Sequence, residues 1–188
     1  MTMTTSPMLS HMGIYVRDVS KMVEFYTSLF KLRITDRGCG RRFNNELVFL
    51  SAHPEHHHQL VLASGRPADS SQSTVMQLSF KVSNIEELRH FQAKAPEIGA
   101  TNLFTLNHGT ALSLYFSDPE GNTIEVYFDT PYYVAQPRGD PLDLNKTDGE
   151  IMSETLTTCR SDSTFMLAED WRRRFAEAQA ADASVASP

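Results

Sequence analysis

The chain reads as an α+β protein built from two tandem βαβββ modules, and two observations carry that reading. SHMGIYVRDVSKMVEFY (10–26) lies without a gap over MQLSFKVSNIEELRHFQ (76–92) at an offset of 66, and the same offset carries HQLVLAS (58–64) onto IEVYFDT (124–130). Within each copy the apolar period also switches, at the same point, from the alternation of a strand to the 3.6-residue spacing of a helix. Two copies of one sheet-plus-helix unit can share a core by laying their sheets side by side, with helices on the outer faces and a cleft within. The expected organisation is a paired domain over 9–130, with modules 9–64 and 75–130, followed by a C-terminal arm over 131–188.

The elements follow in order. In the first strand Met12, Ile14 and Val16 form the packing series, which leaves His11, Gly13 and Tyr15 on the cleft face. Asp18 is the turn residue before a helix whose apolar positions are Met22, Phe25, Tyr26 and Leu29. KLRITDRG, NELVFLSA and HHQLVLASG supply three more strands, the last packing Leu60 and Leu62 and turning Gln59 and Val61 inward. The second copy repeats the pattern. Met76, Leu78, Phe80 and Val82 pack, Gln77, Ser79 and Lys81 face the cleft, and Asn84 precedes a helix carrying Ile85, Leu88 and Phe91.

TNLFTL, ALSLYFSD and NTIEVYFD complete the module. Leu112, Leu114 and Phe116 pack opposite Ala111, Ser113 and Tyr115; Ile124, Val126 and Phe128 pack opposite Glu125 and Tyr127. Asp118 to Asn122 has hairpin-turn composition. Met8, Met12, Met22 and Met76 are expected in the core or at its rim. Beyond 130, the run YYVAQPRGDPLDLNKTDGE reads as an extended arm, with Tyr132 and Tyr133 covering the cleft mouth or meeting a partner subunit. AEDWRRRFAEAQA reads as a short helix with Trp171 and Phe175 on one face, and the last eight residues have too little apolar content to pack and are expected to be disordered.

Bulk composition excludes several classes. Lys and Arg number 17 against 23 Asp and Glu, a formal charge of −6, so no basic stripe is available to replace phosphate counterions and no nucleic-acid partner is expected. RGCGRR is the densest basic cluster. MTMTTSPMLS carries neither a basic leader nor an apolar stretch, and no run approaches the roughly 18 apolar residues of a membrane span; the expected location is cytoplasmic, with no membrane partner. Cys39 and Cys159 lie far apart without metal-like spacing, which argues against a disulfide framework or thiolate zinc.

The repeat gives the cleft its chemistry. His11 maps onto Gln77 and Gln59 onto Glu125 at the offset of 66, with 48 residues between the two members in each module, and a pseudo-twofold axis would bring all four together. One imidazole, one carboxylate and two amides are a metal-site inventory; they are equally the lining of a wet polar groove. His53, His56 and His57 read as polar loop residues, whereas His58, beside Gln59 at the strand mouth, is placed to move protons near neutral pH.

LSHMGIYVRDVSKMVEFYTSLF and YFSDPEGNTIEVYF resemble the vicinal oxygen chelate superfamily, which includes glyoxalase I, bleomycin- and fosfomycin-resistance proteins and type I extradiol dioxygenases; the likeness covers roughly 9 to 130. It implies a half-open barrel around one divalent metal, with ligands at the positions of His11, Gln59, Gln77 and Glu125. HHHQLVL, Tyr115 ten residues before Glu125, and NHG with His108 are similar to the single-domain extradiol dioxygenases. That resemblance implies His58 as acid–base residue, Tyr115 as the active-site phenol, His108 behind it, and a catechol-type aromatic substrate cleaved with O2. The implied metal is Fe(II), held by His11, Gln77 and Glu125. Gln77 departs from the two-His-one-carboxylate pattern, and its harder amide oxygen turns preference toward Mn(II), Mg or Zn(II). A glyoxalase-type lyase or isomerase with a redox-inert metal, and a metal-free ligand-binding protein of the bleomycin-resistance kind, are the alternatives. Modules of this kind often pair, so a homo-oligomer is expected.

Overall fold

The computed structural model describes residues 7–42, 44–70 and 73–185. The first module forms β1 (Met12–Val16), α1 (Val19–Phe30), β2 (Arg33–Cys39), β3 (Glu46–Ser51) and β4 (Leu60–Ser64); the second forms β5 (Leu78–Lys81), α2 (Ile85–Lys94), β6 (Thr101–Asn107), β7 (Ala111–Ser117) and β8 (Thr123–Asp129). Both helices start alike. Asp18 accepts a hydrogen bond from the Lys21 amide and Asn84 from the Glu87 amide, each satisfying an amide that has no partner inside its helix.

Each module makes one open sheet. The first runs β1-β4-β3-β2, with β1 parallel to β4. In the second, β6-β7-β8-β5 is extended at the β6 edge by a two-residue strand of the arm, Asp140–Pro141. The sheets do not close into a barrel. Met22, Phe25 and Tyr26 of α1 and Leu88 of α2 are buried against Leu62, Leu114, Ile124 and Val126 of the sheets in a single core. Phe30, at the end of α1, stacks on Phe80 of β5 with ring centroids 3.8 Å apart and lies 5.3 Å from Phe91 of α2, which joins the two modules' cores.

A polar clasp joins them as well. The β7–β8 turn sends Glu120 across to the β1–α1 junction, where Oε1 accepts the amides of Arg17 and Asp18 at 2.7 and 2.8 Å. Its Oε2 is buried without a hydrogen bond, held by the Arg17 and Arg66 guanidinium groups at 3.8 and 3.7 Å. Asp118 in the same turn accepts the buried Tyr26 hydroxyl of α1 at 2.9 Å. A turn read from its composition as a hairpin linker therefore also couples the modules.

The duplication is imperfect at one point that matters. Met12 pairs with Leu60 on β1/β4, a separation of 48, whereas Leu78 pairs with Ile124 on β5/β8, a separation of 46. An even slip keeps every side chain on its face, but it places Ser79 rather than Gln77 directly across from Glu125. Met76 and Met8 are exposed rather than packed, because both precede the first ladder residue of their strand; Met22 is fully buried and Met12 partly so.

The arm is more ordered than its composition suggests. Tyr132–Tyr133 and Met166–Leu167 form a short antiparallel pair, β9 and β11, with Asp140–Pro141 as β10. Between them α3 (Asp148–Arg160) buries Ile151, Thr155 and Cys159, and Thr147 and Glu150 cap its start reciprocally. Tyr133 stacks on Trp171 and Trp171 on Phe175, at 5.4 and 5.3 Å, so Tyr133 serves the arm itself. The final helix α4 (Ala168–Val185) runs five residues into the stretch expected to be disordered; alanine, frequent there, has the highest intrinsic helix propensity. The remainder of that stretch, 186–188, lies outside the described residues. No helix among the described residues is long and apolar enough to cross a membrane.

Candidate functional site

Glu125 occupies the middle of β8, with Ser79 of β5 as its register partner on one side and Tyr115 of β7 on the other. The carboxylate is 8% exposed. Oε1 accepts the Tyr115 hydroxyl at 2.6 Å and the Ser113 hydroxyl at 2.9 Å. Oε2 accepts the Gln77 amide and the Ser79 hydroxyl, both at 2.7 Å. Four donors thus meet the roughly four lone-pair positions of a carboxylate. Burial, followed by the bond to Glu125, pushes the Tyr115 hydroxyl well above its ordinary pKa, so it remains a protonated donor.

Behind Tyr115 stands His108, with Nε2 2.9 Å from the phenol oxygen. Its Nδ1 donates to the Arg138 carbonyl of the arm. A carbonyl only accepts, so Nδ1 carries the proton and a neutral His108 presents Nε2 as an acceptor. The single phenol proton of Tyr115 is then shared between His108 and Glu125. Phe104 lies flat against the Tyr115 ring, with centroids 4.9 Å apart and planes 10° apart, and fixes its orientation.

The first module contributes a separate group. His11 stands just before β1, its Nδ1 3.1 Å from the Ser10 hydroxyl, and its ring centroid is 4.3 Å from that of His58. His58 Nδ1 is 2.9 Å from His57 Nδ1, and His57 Nε2 is 2.7 Å from the Asp36 carboxylate on β2. Partial burial, then His11 and His57, lower the His58 pKa below the ordinary imidazole value, so the ring is neutral near pH 7. His57, read from sequence as a polar loop residue, is thus tied into the group; its alternation with cleft-facing Gln59 was the available signal. Ser79 and Ser113 were also legible as cleft-facing, but their service to Glu125 became visible only with the register.

His11, Gln59 and Gln77 line one cavity of about 600 Å3, with Ser79 beside them and Phe30 and Phe80 on its wall. A second cavity of about 580 Å3 holds His11 and His58 together. His11 therefore stands between two hollows, while Gln77 reaches back to Glu125. No hydrogen bond or ring contact joins His11 to Gln77 or Glu125 among the described residues. Gln59 turns its side-chain oxygen to the Ala52 amide at 3.0 Å and the Ser51 hydroxyl at 3.4 Å, bracing the β3–β4 connection.

Among the described residues no three His, Cys, Asp or Glu side chains are grouped to hold a metal, so a three-residue site at Glu125 would draw on another donor such as the Gln77 amide. The donor chemistry fits a divalent cation on one condition. Gln77 Oε1 accepts no hydrogen bond among the described residues, and neither does His11 Nε2 take part in one, so both are available; Glu125 must release one of its four donors. A half-turn of the Gln77 amide meets that condition, replacing its Nε2 beside Glu125 with Oε1.

A family model described as "Glyoxalase/Bleomycin resistance protein/Dioxygenase superfamily" matches residues 8–126. Biphenyl-2,3-diol 1,2-dioxygenase 2 of Rhodococcus globerulus is 22% identical over 130 residues, 68% of this chain and 65% of that protein, so the match spans less than two thirds of the relative's length. A glyoxylase/bleomycin resistance protein/dioxygenase domain from Frankia sp. EAN1pec shares the fold with a TM-score of 0.56 and 20% identity, over 67% of this chain and 100% of that one. The fosfomycin resistance protein FosX from Mesorhizobium loti aligns over 65% and 92% of the two chains with a TM-score of 0.51 and 18% identity. FosX from Listeria monocytogenes, solved with Mn(II) and sulfate, aligns over 67% and 95% with a TM-score of 0.52 and 18% identity.

Proposed function

Because the chain belongs to the glyoxalase/bleomycin-resistance/dioxygenase superfamily, we propose that it is a metal-dependent enzyme that opens a catechol-type aromatic ring with O2. The observation that carries this reading is the His108–Tyr115–Glu125 chain, 2.9 and 2.6 Å at its two links, on the opposite module from a neutral His58. One module then holds a protonated phenol and the other an unprotonated imidazole. That pairing suits a reaction in which a ring hydroxyl loses a proton and an oxygen later gains one.

A divalent metal, Fe(II) in the reading nearest the extradiol enzymes and Mn(II) or Zn(II) in the alternatives, would be held by His11, Gln77 and Glu125 and would lower the pKa of the bound hydroxyls. Gln59, with its oxygen engaged by β3, supports the wall in this reading. His58 takes the proton of a catechol hydroxyl, since its depressed pKa leaves it free to accept at neutral pH. Tyr115 offers its hydroxyl to the oxygen on which negative charge develops, and its raised pKa keeps that proton in place until then. His108, oriented by the Arg138 carbonyl, holds the phenol in position.

The Mn(II)-bound FosX of Listeria monocytogenes shows that a chain of this fold carries a divalent metal, and the Rhodococcus relative acts on a biphenyl diol. A second reading is favoured by one observation: Glu125 already has four donors, which suits a metal-free cleft that binds a planar molecule without turning it over. Oxygen uptake separates the two. Anaerobically purified protein, supplied in turn with Fe(II), Mn(II) and Zn(II) and mixed with catechol and biphenyl-2,3-diol, consumes O2 as a yellow ring-opened product appears if the first reading holds. Absence of uptake with every metal favours the second.

A further inference from the structure

The cavity shared by His11 and His58 carries more charge information than the chemistry above uses. Its floor is the cleft face of β1, β4 and β3, with Gly13, Val61 and Phe49 exposed to it and Tyr15 on one side; its rim is the β2–β3 turn, which brings Arg41 and Arg42 to the opening. No Asp or Glu is among the described residues that line it. Arg41 has no ion pair or hydrogen bond among the described residues, whereas Arg37 on the same hairpin is paired with Glu46 at 3.6 Å. In a chain of net charge −6, a hollow with two arginines at its opening and no acid among the described residues that line it is a local reversal of sign, and a concave site with low-dielectric walls concentrates that field. Gly13 adds no side chain to its floor, and Phe49 contributes aromatic surface.

We propose that this cavity is a binding subsite for the carboxylate of a planar aromatic acid, with the ring on the sheet face beside Phe49 and Tyr15 and the carboxylate at Arg41 and Arg42. At about 580 Å3 it falls within the usual range of small-molecule sites, roughly 300–1,000 Å3, and exceeds what one ring with a short acid substituent fills. Arginine suits the carboxylate because its planar fork matches both oxygens and stays charged at every working pH. The substrate class narrows accordingly, from catechols in general to those bearing an anionic side group. This inference rests on the reading above only in placing the reacting end of the ligand at His11 and His58.

The test uses ligands that cannot react. Isothermal titration of 2-naphthoate and of 2-naphthamide into the full chain compares the same ring with and without the charge. The acid is expected to bind at least about tenfold more tightly than the amide, the size of one charge-assisted contact. In the Arg41→Gln/Arg42→Gln double variant that preference disappears while the amide's affinity and the melting temperature stay as in the parent chain. Equal affinities in the parent, a preference that survives in the variant, or no binding of either ligand would each overturn the subsite. Oxygen uptake on unsubstituted catechol, which has no carboxylate, reads the ring-cleavage proposal separately. Uptake without acid preference removes this subsite alone, and acid preference without uptake removes the ring-cleavage reading alone.

Discussion

Glu125 shows how a single side chain can be legible in kind and illegible in company. The strand alternation of NTIEVYFD sets it on the cleft face, and the repeat offset pairs it with Gln59. Its donors Ser79, Ser113 and Tyr115 come from three neighbouring strand positions whose register no periodicity states. Tyr115 is the most exposed to test of these. Tyr115→Phe keeps the ring that stacks on Phe104 and removes the hydroxyl that joins His108 to Glu125. Loss of one preorganised donor to developing charge lowers kcat by about 100-fold, with KM for the aromatic substrate changed far less. A variant with parental kcat would remove Tyr115 from the chemistry. His57 is the converse case: its type was visible in HPEHHHQLVL, but its partner Asp36 lies on a strand 21 residues away, and only folding brings them to 2.7 Å.

At the scale of elements, the opening strand and helix of each module followed from the switch of apolar period, because burial on one face dictates that period directly; β2, exposed along its whole length, has no such face. α3 did not, although its signals were present: a Thr147/Glu150 capping box and Ile151, Thr155 and Cys159 spaced four apart. The weakly apolar Thr155 and Cys159 hid the stripe. Two connections between elements carry measurable stability. Glu120 links the β7–β8 turn to the start of α1, with its carboxylate almost wholly buried between Arg17 and Arg66. Glu120→Ala leaves the amides of Arg17 and Asp18 without their acceptor and takes the counter-charge from the buried Arg66 and from Arg17, which keep only neutral partners, and is expected to cost about 3–5 kcal/mol in urea unfolding; a loss within experimental error would show that the modules do not depend on the clasp. Gly109, in the β6–β7 turn at φ +74°, lies under the arm, where an added Cβ would come within 2.6 Å of Val134 Cγ2 and 3.0 Å of Cys159 Sγ. Gly109→Ala therefore combines a strained backbone with a clash, at about 1–3 kcal/mol, and pushes away the arm segment that bonds to His108. A fully stable variant would mean that the arm accommodates the methyl group by moving.

Across the whole molecule, the two modules would each bring half of the proposed site. The second supplies Glu125, Gln77, Tyr115 and His108, the first His11 and His58, and the cavity lined by His11 and Gln77 lies where they meet. The arm, beyond the 8–126 span of the superfamily, completes the second half through the Arg138 carbonyl and the Gln136 amide, which bonds to the His108 carbonyl at 2.8 Å. The sequence repeat carried the pseudo-symmetry of the two modules; it could not carry the two-residue slip of β5 against β8, because an even slip leaves the apolar pattern unchanged. The measurement that bears most directly on a shared metal site is elemental analysis of untagged, anaerobically purified protein beside its His11→Ala and Glu125→Ala variants, one from each module. About one divalent metal per chain in the parent, lost in both variants, is the result expected of a site that needs both halves. Equal metal in all three proteins, or a parent chain that retains none after loading with Fe(II), Mn(II) or Zn(II), would contradict it.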